Sequence, residues 1–367
     1  MTQVQCQTAF SVSLQPELDA VFFPKGGGER GMNSPYNIGT KLHYYFAGGC
    51  PYDIMQVHGV SHVSVYASVW GVIDAINMNK ELGYCFPNHE QQREIAAGFH
   101  RRSGAGFDKV VGAIGGLIIC TLMPSLAECN NMNCKQTNFR GHCKDKYGLN
   151  LQAICNHNLE FIWAKMKWPA ATSDYMAWVT TSLNLLLENN IDTNIILDGY
   201  TLVGDCAYVK SPFMATPLKG SGHEDAYNFY LSQLMITIER AFGVLVHQWA
   251  ILCAPLIIPL AKVGPLFKAL IWLHNFCFDQ NELSVFDVPN INNNNLTGNV
   301  AVSQLFGNSS DSEVAHLDVH GHPVSLLGHG HHFADAERNR CPPKEGTPMD
   351  DMIQSLKINS LTRPRAT

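Results

Sequence analysis

Two acidic residues stand where a carboxylate could serve phosphoryl chemistry. Asp205 lies at the end of a short apolar run in YTLVGDCAY, and Glu239 follows 34 positions later in ITIERAFG, within a stretch of helical periodicity. Metal-dependent cleavage of a phosphodiester requires such acids to converge from distant parts of a fold, because about three carboxylates hold the two Mg²⁺ ions. The pair by itself is weak evidence, since a lone Asp or Glu is usually solvated or caps a helix.

Other residues of types that bind metals are spaced less favourably. Cys129, Cys134, His142 and Cys143 are more loosely spaced than the tight pairs of a typical zinc site. Low-complexity His tracts often bind transition metals without function. Six such histidines lie near the C-terminus: His316, His320, His322, His329, His331 and His332. His274, in the motif LHNF, lies on an apolar helical segment, which favours a hydrogen-bonded core residue over a catalyst.

The elements that must position the two acids begin at about residue 108. Short apolar runs predict four strands: VVGAIGGLIIC, YGLNLQAIC, LEFIWAKMKW and YTLVGDCAYV. Helical periodicity predicts a helix at 173–189, between the third and fourth strands, and two longer helices at 224–252 and 264–279. This β-β-β-α-β-α order predicts an α/β layer with a mixed sheet and is the order of an RNase-H-like fold.

Residues 36–100 predict a helical domain that contains a candidate helix-turn-helix. Gly59 can take the positive φ that closes one helix, and Ser61 can cap the next. The candidate outward-facing residues for DNA contact are Ser61, His62, Ser64 and Ser68. Basic residues are sparse in this segment, so a plain helical bundle that packs on the following domain is the alternative.

Charge is distributed unevenly along the chain. The net charge is −6, but eight acids and no Lys or Arg lie between Asp279 and Glu337, so the remainder is nearly neutral. Such a body neither requires nor forbids a nucleic-acid partner. The Asn- and His-rich segment 280–367 is predicted to be largely disordered, and the polar residues 1–35 are predicted to form a flexible arm.

Composition also bears on the class of protein. No run of about 18 apolar residues is present, so no membrane span is expected. The N-terminus lacks the pattern of a secretion signal. The 12 cysteines are scattered through apolar segments, which is typical of reduced thiols in an intracellular protein.

Motifs in continuous order between residues 108 and 279 resemble one transposase family. They are VVGAIGGLIIC, YGLNLQAICNHNLEF, WPAATSDYMAW, GDCAYVKSPFMATPLKG, EDAYNFYLSQL, IERAFGVLVHQWAIL and LIWLHNFCFD. Together they resemble the DDE superfamily endonuclease domain of PIF/Harbinger transposases and their domesticated relatives. The resemblance implies an RNase-H-like nuclease domain at 101–279, in which Asp205 is the second metal-binding Asp and Glu239 the third acid.

The same resemblance implies the cofactor and the partners. A divalent cation, Mg²⁺ or Mn²⁺, would serve the nuclease, and DNA would be its substrate. Transposases of this family commonly work with a separate DNA-binding protein, so such a partner is expected. The location implied is the nucleus, or otherwise the cytoplasm.

Three positions depart from the family pattern. Gly115 stands where the family has its first Asp, so the carboxylate that bridges both ions is absent. Asn156 replaces a common Asp, and Met235 occupies a position where relatives often have an Arg. Ser173 and Asp174 match a family turn that is expected to cap the following helix rather than bind metal.

These residues leave several functions open. The first is a metal-dependent DNA nuclease by ancestry, impaired because Gly115 leaves only Asp205 and Glu239 as ligands. The second is a non-catalytic DNA- or protein-binding module on the same scaffold, which Gly115 favours. A third is an eroding transposon copy with no cellular role.

Overall fold

A five-stranded mixed sheet with the strand order β3-β2-β1-β4-β5 lies at the centre of the fold. The strands are β1 (Val110–Thr121), β2 (Tyr147–Cys155), β3 (Phe161–Pro169), β4 (Thr201–Val203) and β5 (Met214–Ala215). The first three strands pair antiparallel, whereas β4 pairs parallel with both β1 and β5. This topology confirms the predicted RNase-H-like α/β fold.

Helices cover the sheet and account for most of the remaining structure. They are α1 (Pro51–His58), α2 (His62–Met78), α3 (His89–Arg102), α4 (Leu126–Asn131), α5 (Asp174–Val179), α6 (Ser182–Asn189), α7 (His223–Gln248), α8 (Leu260–Asp279) and α9 (Pro348–Ile358). The computed structural model describes residues 41–42, 44–79, 84–141, 146–189, 195–219, 223–279 and 348–358. The predicted arm at 1–35 and the His-rich tract therefore lie outside the described residues.

Each face of the sheet is covered by a different set of helices. The long helix α7 packs across β1, β2 and β4 on one face, where Ile238 and Phe242 enter the larger apolar cluster. The opposite face is covered by α5 and α6, whose Trp178 and Leu183 join Ile114 of β1 in a second cluster. Because both faces are buried, the inner strands are near-continuous apolar runs rather than alternating ones.

Two helices joined by a short turn, α1 and α2, form the segment of the candidate helix-turn-helix. Gly59 adopts φ 61° at the end of α1, and the Ser61 side chain accepts a hydrogen bond from the Ser64 amide at the start of α2, as predicted. Helix α2 also packs on α8, and Asn77 donates a side-chain hydrogen bond of 2.9 Å to the carbonyl of Pro265. One hydrophobic cluster includes residues of α2, α3 and the sheet, so the helical segment shares its core with the α/β layer.

Two predicted elements differ from those observed. The single helix expected at 173–189 is divided into α5 and α6, because Thr181 caps α6 by accepting a 3.0 Å hydrogen bond from the Asn184 amide. The predicted fourth strand is shorter than its apolar run, and β5 was not predicted at all. A two-residue strand such as β5 is too short to show periodicity in the sequence.

Within 280–367, the segment predicted to be largely disordered, the structure describes one helix, α9. This helix packs on α7, with Met352 and Leu356 buried one helical turn apart, and Asp351 forms a 2.8 Å salt bridge with Lys109. Packing of these two apolar residues stabilises the helix, whereas the neighbouring low-complexity sequence offers few apolar residues to bury. Helix α9 is therefore part of the folded core.

Helix α7 has the length and apolar composition of a membrane-spanning segment over Glu224–Gln248. However, 56% of that stretch is buried inside the fold, and the core helix of a globular domain meets the same criteria. The apolar character of α7 is thus explained by its packing against the sheet.

Replacing Leu356 with Ala should destabilise the whole fold. Its side chain is fully buried, and truncating a buried Leu typically costs about 2–5 kcal/mol of unfolding free energy. Urea denaturation of the full chain measures the change, with the exposed Gln354→Ala in the same helix as the control. Equal stability of the two variants would mean that α9 does not belong to the core.

Candidate functional site

The position of the expected first acid, Gly115, lies in the middle of the central strand. Gly115 pairs with Ala153 of β2, and its face of the strand is covered by α7. A Cβ atom at this position would lie 3.1 Å from both γ-carbons of Ile238 and 3.4 Å from Cε2 of Phe242. The space for a side chain is therefore occupied by apolar groups, and an Asp here would require Ile238 to move.

The second expected acid, Asp205, follows β4 and is mostly buried in a tight turn. The Ala207 amide donates a 2.8 Å hydrogen bond to Asp205 Oδ1. Burial raises the pKa of Asp205, and the charge of Asp174 raises it further, whereas the Ala207 hydrogen bond opposes both effects. Asp205 is thus an acid beside a second acid, in a place where ionisation is disfavoured.

Asp174 is the site residue that the sequence prediction missed. Its Oδ1 accepts hydrogen bonds from Asn150 Nδ2 at 2.9 Å and from Gln152 Nε2 at 2.8 Å. Only Ser173 performs the expected capping role, accepting a 3.4 Å hydrogen bond from the Met176 amide. The carboxylate of Asp174 itself turns towards the sheet, while the turn caps the helix through Ser173 as predicted.

A polar network surrounds Asp174 on the face opposite α7. The buried Tyr208 hydroxyl donates a 2.7 Å hydrogen bond to Gln152 Oε1, and burial together with Asp174 and Asp205 raises the pKa of Tyr208. A Cβ atom at Gly116 would overlap Asp174 Oδ1, so the carboxylate approaches the strand only because that residue is a glycine. The sequence signal that could have identified Asp174 is the pair Asn150 and Gln152 in an otherwise apolar strand, since buried side-chain amides require hydrogen-bond partners.

Glu239 is exposed on α7, next to the Ile238 side chain that fills the space at Gly115. Within the described ranges, no group of three or more His, Cys, Asp or Glu side chains is arranged to hold a metal ion. Asp174 Oδ1 and Asp205 Oδ1 already accept hydrogen bonds, and position 115 supplies no ligand. This donor set does not fit a two-ion site, which needs a bridging carboxylate.

The other departures from the family pattern have structural roles. The Oδ1 atom of Asn156 accepts hydrogen bonds from the amides of Asn158 and Glu160 at 2.9 and 3.0 Å, and its Nδ2 donates to the Glu160 carboxylate. An Asp at this position would face Glu160 with a second negative charge. Met235 is partly buried and packs against the larger apolar cluster, so it takes part in the core of α7.

The residues proposed to contact DNA are oriented differently from one another. Ser61 uses its side chain as the cap of α2, and His62 stacks against Tyr52 with ring centroids 5.0 Å apart. Ser68 is only 4% exposed and donates its hydroxyl to the Ser64 carbonyl at 2.8 Å. The prediction that Ser68 faces outward is therefore wrong, because its side of α2 is the buried one. DNA contact by Ser61, His62 and Ser64 stays a prediction.

The remaining candidates resolve into core residues or lie outside the described ranges. His274 is fully buried, and its Nε2 lies 3.0 Å from the Leu159 carbonyl oxygen, which confirms its assignment as a hydrogen-bonded core residue. Burial lowers its pKa to about 4.

Cys129 is buried and Cys134 donates its thiol to a backbone carbonyl. The other two members of that predicted zinc group lie outside the described residues.

Comparison with known families agrees with this geometry. Residues 118–275 match the family model described as DDE superfamily endonuclease. This stretch is thus similar in sequence to DDE endonuclease domains. It contains Asp174, Asp205 and Glu239 but begins after Gly115. No curated protein and no solved structure matches the chain.

The substrate and the cofactor of the DDE endonuclease superfamily are known as classes. Its domains act on DNA and generally use divalent metal ions. The chain has an α/β sheet of the expected kind and two of the three acids that the resemblance implies, whereas apolar packing fills the space at Gly115, where the first acid is expected.

Replacing Asp205 with Asn should stabilise the protein at neutral pH. The raised pKa of Asp205 means that the ionised carboxylate is disfavoured in the folded state, so the gain exists above its ordinary value of 3.8 and disappears below it. The Asn oxygen can still accept the Ala207 hydrogen bond. Thermal unfolding at pH 7.5 and at about pH 3.5 measures the difference, with the exposed Asp198→Asn as the control. A loss of stability at neutral pH would contradict the proximity of the two acids.

Proposed function

We propose that this protein is a Harbinger-type, transposase-derived DNA-binding protein that does not cleave phosphodiester bonds. The observation that carries the proposal is the closed space at Gly115, where Ile238 and Phe242 of α7 occupy the volume an acid would need. Loss of the acid alone would leave a gap that a bound ion or water could fill. Because Ile238 and Phe242 occupy this space instead, we infer that α7 packs directly on the strand with no ligand between them.

Electrostatics supports the same proposal. Two divalent ions bring four positive charges, and the bridging carboxylate normally lies between them. Here Gly115 supplies no carboxylate, and Ile238 and Phe242 occupy the space beside it. A metal-ligand deficit of this kind commonly removes several kcal/mol of transition-state stabilisation, and each ~1.4 kcal/mol is tenfold in rate.

DNA is the partner that the scaffold favours. The superfamily acts on DNA, and residues 118–275 match its family model. We place the protein in the nucleus on this ground. A separate DNA-binding protein is the expected second partner, because α2 is packed on α8 along one side and has few basic residues for a major groove.

A nuclease in which another acid replaces the missing first one is the second candidate. The observation in its favour is Asp174, which lies close enough to Asp205 to raise the pKa of that residue. In such an enzyme, Asp174→Asn would abolish cleavage. The donors of Asn150 and Gln152 weigh against it, because they already engage the Asp174 oxygen that would have to bind the ion.

Plasmid nicking in Mg²⁺ or Mn²⁺ separates the two functions. We expect the unmodified chain to show no nicking above background, although it retards duplex DNA in a gel-shift assay at low salt. Gly115→Asp alone should not restore cleavage, because its side chain meets Ile238. The double variant Gly115→Asp with Ile238→Ala supplies both the acid and the room for it.

The controls for this experiment are substitutions of the acids. Nicking by the unmodified chain that Asp205→Ala or Asp174→Asn abolishes would overturn the proposal and support the nuclease. Failure to bind DNA at about 50 mM salt, where backbone contacts are strong, would exclude the DNA-binding function itself.

A further inference from the structure

The outer strand of the sheet, β3, carries two exposed lysines. In the strand order β3-β2-β1-β4-β5, the strand that pairs with β3 is β2, and the other side of β3 is an edge of the described sheet. Lys165 and Lys167 are exposed, whereas Ala164 and Met166 pack against the larger apolar cluster. Because strand side chains alternate, Lys165 lies on the face of the sheet away from that cluster.

Lys167 lies at a β-bulge. The register pairs Leu151 with Met166 and Asn150 with Trp168, so it passes over Lys167. A bulge leaves its extra residue outside the ladder and bends the strand, which directs the side chain of that residue to the edge. Charged side chains on an edge strand also discourage pairing with another sheet, a purpose that either sign of charge serves.

Two further cations continue this edge beyond the end of β3. Arg140 forms an antiparallel bridge with Tyr147, and the Gly141 amide donates a 2.8 Å hydrogen bond to the Lys146 carbonyl. Tyr147 pairs with Thr121 of β1 on its other side, so Arg140 lies on the side of β2 that β3 occupies. Arg140, Lys146, Lys165 and Lys167 together form what we call the β3 edge.

The segments that build the β3 edge are basic, although the chain as a whole is acidic. The described residues 129–141, 146–155 and 161–172 include no Asp or Glu. They contain five cations: Lys135, Arg140, Lys146, Lys165 and Lys167. The net charge of the chain is −6, but attraction of a charged ligand depends on the local field. The β3 edge is therefore suited to an anionic partner.

The β3 edge lies next to the polar network around Asp174. Lys165 is directly opposite Gln152 in the β2–β3 register, and Gln152 Nε2 donates a 2.8 Å hydrogen bond to Asp174 Oδ1. Residues directly opposite each other on antiparallel strands share a face, with Cβ atoms about 4.5–5.5 Å apart. Strand register thus places an exposed cation beside the network.

We propose that the β3 edge binds the phosphate backbone of duplex DNA. Arg140 lies opposite Tyr147, and Lys167 lies beside Asn150, three residues further along β2, which is roughly 10 Å at 3.3 Å per residue. The two side chains therefore contact different phosphates of one strand. Such contacts position a protein on DNA without reading its sequence. This inference rests on the proposed DNA-binding function and adds named contacts to it.

The first experiment measures duplex DNA binding by the full chain, using fluorescence anisotropy at several salt concentrations. In the double variant Lys165→Gln with Lys167→Gln, the slope of log affinity against log salt should fall by about 2, because each phosphate contact contributes about 0.9. Lys357→Gln, which removes an exposed lysine from α9, should leave the slope unchanged. An unchanged slope in the double variant would overturn the proposal while leaving the DNA-binding function intact.

Reversal of charge distinguishes a ligand site from protection of the strand edge. Lys165→Glu with Lys167→Glu keeps two charges on β3 and should therefore stay as soluble as the unmodified chain in light scattering. It should nevertheless bind duplex DNA more weakly than the Gln pair, because it repels phosphates. Equal DNA affinity in the Glu pair and the unmodified chain would overturn the proposal and leave edge protection as the role of the two lysines.

The second experiment separates this site from the proposed function by using tripolyphosphate as the probe. Thermal unfolding of the full chain in rising tripolyphosphate, against chloride at equal ionic strength, should show a saturable gain in stability. The Gln pair should lose this gain, and Lys357→Gln should keep it. That result in a chain that binds no duplex DNA would support the anion-binding edge and exclude the DNA-binding function. Equal gains in the Gln pair and the unmodified chain would overturn the proposal.

Discussion

The close approach of α7 to the central strand is the constraint on which the site depends. At Gly115 the strand has no side chain, and Ile238 and Phe242 occupy the room that one would need. Because strand side chains alternate, the next residue, Gly116, lies on the opposite face, where Asp174 comes close to the backbone. Two adjacent glycines therefore admit a helix on one side and a carboxylate on the other.

The two faces consequently differ in chemistry. The face that packs on α7 is apolar at the centre of the sheet, as in any close-packed core. The other face keeps Asp174 in a network of amides and a tyrosine, where hydrogen bonds from Asn150 and Gln152 offset part of the cost of burial.

Several elements were predictable because their signals are local. Apolar runs identified the first three strands, and the turn between α1 and α2 followed from the backbone freedom of Gly59 and the hydroxyl of Ser61. The division of 173–189 into two helices was missed, because helical periodicity continues across the break. Helix α9 was missed because the composition around it indicates disorder. Its two buried apolar residues become part of a core only where they pack on α7.

The sequence by itself determined that one expected metal ligand is missing, because a glycine at position 115 has no side-chain carboxylate in any fold. It also determined the order of elements, because hydrophobic periodicity is a local property. The tertiary structure alone decided that Asp174 lies near Asp205 and that Arg102 bonds the His157 carbonyl, since these pairs are separated by many residues. Strand register and helix packing bring such residues together, and a one-residue shift of register would move every side chain to the other face.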